Sequence, residues 1–146
     1  MRIADIFFTA GATGFYFDDL EAIKNGAVID GFNYRGAPVT KGFSQIRQPG
    51  ESILVTLILD DGRVIHSDCV AVQYSGASGR DPLFLAAKHI ESLNRYLRPQ
   101  WCGTKLGSFR GMCDWLDNLT IDRCRLHVAL RYGLSMALLK AVAHAA

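Results

Sequence analysis

The sequence predicts an α+β fold, with an N-terminal antiparallel three-stranded meander followed by a helical bundle. Three observations carry this. Short runs rich in β-branched and aromatic residues fill the chain as far as Val72. Asp61-Gly62, a strong hairpin signal, lies between two of them. From Pro82 onward the apolar residues recur every three or four positions, the period of a helix.

The first strand is expected over Arg2 to Thr9, ended by Gly11 and Gly14. Phe15-Tyr16-Phe17 follows, and a hydrophobic plug under a loop is the ordinary use of such a triplet. Asp18 and Asp19 then open a short helical turn through Lys24, with acids where the helix dipole favours them. Asn25 to Pro38 holds three glycines and little periodicity, so it reads as a long irregular connection, partly packed through Phe32 and Tyr34. Two strands, Thr40–Arg47 and Ser52–Leu59, are expected to flank a turn at Gln48-Pro49-Gly50-Glu51. The second is apolar on both faces, which places it centrally in the sheet, and Val64 to Val72 returns beside it.

Ala86, Ile90, Leu93 and Leu97 mark one face of a helix that Pro99 should end. Phe109, Met112, Cys113, Leu116 and Leu119 mark a shorter one that Ser108 can cap. Met112 and Trp115 fit core packing. A long helix is expected from Asp122, with Leu126, Ala129, Leu130, Gly133, Ala137 and Ala141 on one face, small enough for another backbone to approach closely. The chain stops at Ala143-His144-Ala145-Ala146 inside that pattern with no capping signal, so residues 1–146 read as a single domain truncated at its C-terminal end.

The totals narrow the function classes. A 146-residue chain that is 49% hydrophobic can bury a real core. Sixteen Lys and Arg against 14 Asp and Glu leave a net charge of +2, with no basic field that argues for nucleic acid. No apolar run of about eighteen residues suggests a membrane span, and Asp5 interrupts any secretory leader, so a cytoplasmic location is expected. Four cysteines in such a chain are expected as reduced thiols. His66 and Cys69 have a metal-like spacing but lack the further ligands of a zinc site, and His127 reads as a satisfied, half-buried side chain.

The segment of most functional interest is His66 to Pro82, where a strand runs into a Ser- and Gly-rich loop that ends at Asp81-Pro82, an expected helix start. It carries no phosphate-binding lysine, and neither a nucleophile elbow nor HExxH occurs anywhere. The carboxylate pairs Asp18/Asp19 and Asp60/Asp61 lie where helix starts and turns attract acids anyway. No catalytic residue and no metal ligand emerges from this chain.

Particular runs add more. Thr13-Gly14-Phe15-Tyr16-Phe17-Asp18-Asp19, Gly50-Glu51-Ser52-Ile53, Asp68-Cys69, Val72-Gln73-Tyr74-Ser75-Gly76, Gly79-Arg80-Asp81-Pro82-Leu83-Phe84-Leu85-Ala86, and Arg125-Leu126-His127 with Arg131-Tyr132-Gly133 closely resemble the start of the 3-methylaspartate ammonia-lyases, members of the enolase superfamily. The resemblance spans nearly all of the chain and is weakest between Arg95 and Asp122. It implies an enolase-superfamily capping domain whose partner, a TIM-like barrel, is absent from this chain. It also implies elimination of ammonia from (2S,3S)-3-methylaspartate to give mesaconate, with magnesium and the bases in the missing barrel, supplied in cis or as a separate subunit, and a homodimer when complete. One site residue carries over: Gln73, expected to line the pocket beside the substrate amino group, with Tyr74, Ser75 and Thr13 to Tyr16 as neighbours without an assigned role. The other readings are a non-catalytic binding module derived from the cap, or the cap of a different lyase of the superfamily.

Overall fold

The computed structural model describes residues 1–146 except Ser75, Ala77, Ser78 and Asp122. A three-stranded antiparallel sheet is built from β1 (Ile3–Asp18), β4 (Arg47–Leu59) and β5 (Val64–Val70), with β4 in the centre. Between β1 and β4 lie a short helix, α1 (Leu20–Lys24), and a small hairpin, β2 (Val28–Asp30) and β3 (Asn33–Arg35). After β5 come α2 (Ala86–Ser92), a π-helical turn (Leu93–Leu97), α3 (Arg98–Trp101), α4 (Phe109–Asn118), a two-residue hairpin of β6 (Thr120–Ile121) and β7 (Cys124–Arg125), and α5 (Val128–Ala145). The antiparallel sheet followed by helices is the expected fold class, and the described residues form no barrel.

The β4–β5 hairpin turns at Asp61-Gly62 as the sequence indicates, with Gly62 at φ 85° and its N–H donating to the Leu59 carbonyl at 3.0 Å. Inner-face residues Ile6, Phe8, Val55, Leu57 and Ile65 are buried and join one core with Leu130, Leu134, Ala137 and Leu138 of α5. α5 lies on β5 through Gly133, whose carbonyl accepts from the Ser67 hydroxyl at 2.8 Å. A Cβ on Gly133 would strike the Asp68 carbonyl oxygen and the Cys69 sulfur, so this glycine serves close backbone approach.

Several expectations are corrected. β1 does not end at Gly11 and Gly14 but continues to Asp18. From Ala12 to Tyr16 it bulges, four residue steps opposing only two on β4 between Glu51 and Pro49. Thr13 closes the bulge, its hydroxyl accepting from the Phe15 N–H at 3.3 Å and donating to the Phe15 carbonyl at 2.7 Å. Gln48-Pro49-Gly50-Glu51 is therefore strand, not turn. Proline is tolerated there because β5 reaches only as far as Ser52, so the far side of Pro49 needs no donor. A Cβ on Gly50 would meet the Phe15 carbonyl oxygen at 2.8 Å, so glycine answers the bulge rather than a turn. Thr40 to Ile46 is a packed loop, not a strand, with Phe43 and Ile46 buried. The Asn25–Pro38 connection contains the β2–β3 hairpin, which Arg35 and Asp30 close with an exposed ion pair at 2.9 Å.

Pro99 does not end the helix begun at Ala86. The π turn precedes it, and the proline falls in the first turn of α3, where a missing N–H costs nothing. Ser108 caps α4 by accepting from the Gly111 N–H at 3.2 Å, as expected. Trp115 is 40% exposed, lying over the buried Trp101 with ring centroids 6.1 Å apart, so it covers the core rather than filling it. Asp122, expected to open the last helix, lies outside the described residues; α5 starts at Val128 with His127 as its N-cap.

Candidate functional site

Gln73 follows β5 where the chain passes the end of β1. The Gln73 carbonyl accepts from the Asp18 N–H at 3.0 Å, and Tyr74 forms a parallel bridge with Asp18. The Gln73 side chain returns to the same residue: its Nε2 donates to Asp18 Oδ2 at 2.7 Å. Its Oε1 has no hydrogen-bond partner among the described residues. Gln73 is half-buried, whereas Asp18 is 1% exposed.

A buried carboxylate needs a counter-charge and donors. Arg47, opposite Asp18 in the β1–β4 ladder, supplies both, its Nε and Nη2 each 2.7 Å from the two carboxylate oxygens. Nη1 donates to the Phe32 carbonyl at 2.8 Å, and the guanidinium lies about 5 Å from the Phe32 and Tyr34 ring centroids. Asp18 raises the pKa of Arg47, chiefly through these hydrogen bonds, against the opposing effect of burial. Tyr16 closes on Phe32 edge to face at 5.0 Å. The β2–β3 hairpin thus holds Arg47, Arg47 holds Asp18, and Asp18 holds Gln73.

Of the aromatic triplet expected as a plug, only Phe17 is buried; Phe15 and Tyr16 are 38% and 39% exposed at the rim of this cluster. Asp19 is not available for acid–base work. It caps α1 through Ala22 N–H at 3.3 Å and also accepts from the Val39 and Thr40 N–H groups at 2.6 and 2.8 Å and from the Thr40 hydroxyl at 2.6 Å. Burial opposes its ionisation, but these donors, the Thr40 hydroxyl foremost, hold its pKa below the ordinary carboxylate value.

The loop that leaves Gln73 ends differently from the expected helix start. α2 begins at Ala86, whose N–H donates to Glu51 Oε2 at 2.6 Å. Asp81 instead reaches the last helix and accepts from the Val128 N–H at 2.6 Å. Beside it His127 is buried, as expected for a satisfied histidine. Its Nδ1 accepts from the Ala129 N–H at 3.1 Å, so the proton sits on Nε2, which faces the Pro82 carbonyl at 3.1 Å. Burial lowers the His127 pKa despite the nearby Asp81. The 3.6 Å approach of Asp81 to Nδ1 therefore sets two acceptors side by side and is no ion pair at neutral pH. Pro82, His89, His127 and Leu93 line a groove of about 1040 Å³ that Gln73 does not enter.

The metal-like pair is separated. His66 is exposed, with Nδ1 3.2 Å from the Thr56 hydroxyl, and Cys69 is fully buried on the opposite face of β5, its pKa pushed up to about 12 by burial and then by Asp68. All four cysteines are free thiols. Among the described residues no three His, Cys, Asp or Glu side chains gather in a way that could hold a metal ion. Of the other pocket neighbours named from the sequence, Tyr74 meets Asp18 through its bridge and Thr13 to Tyr16 precede Asp18 in β1, while Ser75 is outside the described residues.

The family model described as the methylaspartate ammonia-lyase N-terminus matches residues 1–146. The chain belongs to this family. It is 53% identical over 143 residues to the methylaspartate ammonia-lyase of Clostridium tetanomorphum, covering 98% of this chain and 35% of that one. It is 45% identical over 148 residues to the Haloarcula marismortui methylaspartate ammonia-lyase, again covering 35% of the relative. The crystal structure of the Clostridium tetanomorphum β-methylaspartase in its magnesium complex superposes with a TM-score of 0.95 at 52% identity, over 99% of this chain and 35% of that one. The Citrobacter amalonaticus methylaspartate ammonia lyase containing (2S,3S)-3-methylaspartic acid matches with the same TM-score at 53% identity, over all of this chain and 36% of that one. The chain thus spans about a third of the length of the methylaspartate ammonia-lyases it matches.

Proposed function

We propose that this chain is the N-terminal part of a carbon–nitrogen lyase that eliminates ammonia from (2S,3S)-3-methylaspartate to give mesaconate. It supplies the cap and one substrate-lining residue, Gln73. The family membership and the relatives' identity support the reaction class. The observation that carries the role of Gln73 is its carboxamide, anchored on one side by Asp18 and, among the described residues, unpartnered on Oε1. A neutral amide can accept a hydrogen bond from the substrate amine without competing for the proton being removed.

In this reading the α-proton base, the magnesium and its carboxylate ligands belong to the barrel that completes an enolase-superfamily enzyme. The donor set of the described residues does not fit the metal, since no three candidate ligands gather among them. The substrate amino acid and the barrel are the expected partners, the barrel in cis or as a separate subunit, and the complete enzyme is a cytoplasmic homodimer. None of the described helices is long and apolar enough to cross a membrane.

The test is Gln73→Ala in the full-length lyase, followed by the absorbance of mesaconate. We expect lower kcat/KM for 3-methylaspartate, or a changed preference among amines in the reverse addition, with the thermal midpoint preserved. Kinetics unchanged with both ammonia and bulkier amines would remove Gln73 from the site.

A further inference from the structure

We propose that Asp18 is a positioning residue that selects which end of the Gln73 carboxamide faces the substrate. The proposal rests on the reading of Gln73 as a substrate-lining residue. The two ends of a glutamine amide have nearly the same shape but opposite hydrogen-bonding character, one an NH2 donor and the other a carbonyl acceptor, and the last side-chain torsion exchanges them readily. An amino group carried as ammonium has only donors to offer, so a productive contact needs the carbonyl end outward. Left to itself, Gln73 would present the wrong end part of the time.

Asp18 removes that freedom. An ionised carboxylate accepts and cannot donate, so the group lying 2.7 Å from Oδ2 must be the NH2 of Gln73, which turns Oε1 away from Asp18. The carboxylate is itself immobile, because Arg47 engages both of its oxygens at 2.7 Å. The Asp18 N–H also holds the Gln73 carbonyl at 3.0 Å, so backbone and side chain of the glutamine are tied to one residue. Asp18 cannot contact the substrate in place of Gln73, being 1% exposed with both oxygens engaged.

The experiment is a double-mutant cycle in the full-length lyase with Asp18→Asn and Gln73→Ala, assayed on 3-methylaspartate with magnesium. Asparagine keeps the shape of Asp18 but has an NH2 of its own, so it no longer dictates the orientation of Gln73. We expect Asp18→Asn to lower kcat/KM about tenfold in the natural background and to have almost no effect once Gln73 is alanine. A merely structural role would lower activity by the same factor in both backgrounds. That result, or wild-type kinetics for Asp18→Asn alone, would overturn the positioning role while leaving Gln73 at the site. If Gln73→Ala alone leaves the kinetics unchanged, the site reading itself falls and takes this one with it.

Should Asp18→Asn fail to fold, the carboxamide signals of the unsubstituted enzyme, labelled with nitrogen-15 at glutamine, decide the matter. The Gln73 pair is identified by its loss in Gln73→Ala. One proton shifted downfield and protected from exchange is the expected result. Two protons exchanging like those of an exposed glutamine would overturn the proposal.

Discussion

The carboxylate of Asp81 lies 2.6 Å from the backbone nitrogen of Val128, so a residue at the end of one loop caps a helix 47 positions further along the chain. The contact replaces water on one of the free N–H groups at the start of α5 and ties the loop after β5 to the helix that packs on β5. Asp81→Ala should destabilise the chain by about 1 kcal/mol, the ordinary value of a lost helix cap. Asp81→Asn, which keeps an acceptor oxygen, should recover most of it. Urea denaturation checks both, through a lowered midpoint at unchanged slope.

Gly133→Ala should be costlier than an alanine in a helix usually is. The added methyl would meet the backbone carbonyl of Asp68, which cannot swing aside as a side-chain tip can. A loss of about 1 to 3 kcal/mol is expected from such overpacking. Cys69→Ala in the same protein should not rescue it, since the backbone contact would remain. Thermal melts of the single and double variants provide the comparison.

Removing Arg47 should be among the most damaging changes in the sheet. Asp18 is 1% exposed and Arg47 is its only cationic partner among the described ion pairs, so Arg47→Ala leaves a buried carboxylate without a counter-charge. A loss of about 3 kcal/mol is the usual scale of that imbalance. Phe32→Ala, which strips one ring from the guanidinium but leaves the ion pair, should cost far less. Equal losses from the two variants, measured by chemical denaturation, would contradict this account.

Acid should weaken the fold in two separate windows. The pKa of His89 falls to about 4, first through burial and then through the neighbouring His127 and Lys88, with Asp81 opposing. The unfolded chain therefore binds a proton near pH 6.5 that the folded chain resists, and stability declines as pH drops from about 6.5 towards 4. His89→Phe, whose ring can rest on Phe84 as the imidazole does at 4.8 Å, should reduce that slope and leave the share of His127, whose pKa burial also lowers. Asp5 and Asp19 act lower down. Arg98 foremost lowers the pKa of Asp5, and hydrogen bonds overcome burial at Asp19, so their contributions vanish only as pH falls below about 4. Denaturation midpoints at pH 7, 5.5 and 4.5 isolate the histidine window.

Much of the fold was legible because its signals are local. Asp61-Gly62 announces its hairpin, Ser108 caps the helix that follows it, and the face from Leu126 to Ala141 is buried as its spacing implies. The misreadings share a physical cause. Gly14 and Pro49 look like breaks in isolation, but the bulge of β1 needs room that Gly50 provides, and the free side of β4 needs no donor from Pro49. Asp81-Pro82 looks like a helix start, yet its carboxylate finds Val128 rather than the chain just ahead. Gln73 stood out through the resemblance of its run. Nothing local marked Asp18 and Arg47 as its supports, because the three meet only when the ends of β1, β4 and the chain beyond β5 come together. A buried acid opposite an arginine in a strand ladder becomes a signal once the register is known.

The π turn at Leu93–Leu97 works as a phase shifter. Each turn of that geometry takes up about one residue more than an α turn, which rotates everything downstream by about 100° around the axis. With that rotation Trp101 enters the core and Arg98 meets Asp5 at 3.0 Å. Deleting one residue from the turn would restore an ordinary helical pitch without touching either of them. It would nonetheless swing the tryptophan towards water and the arginine off its carboxylate. In this stretch the residue count, as much as the residue identity, is under constraint.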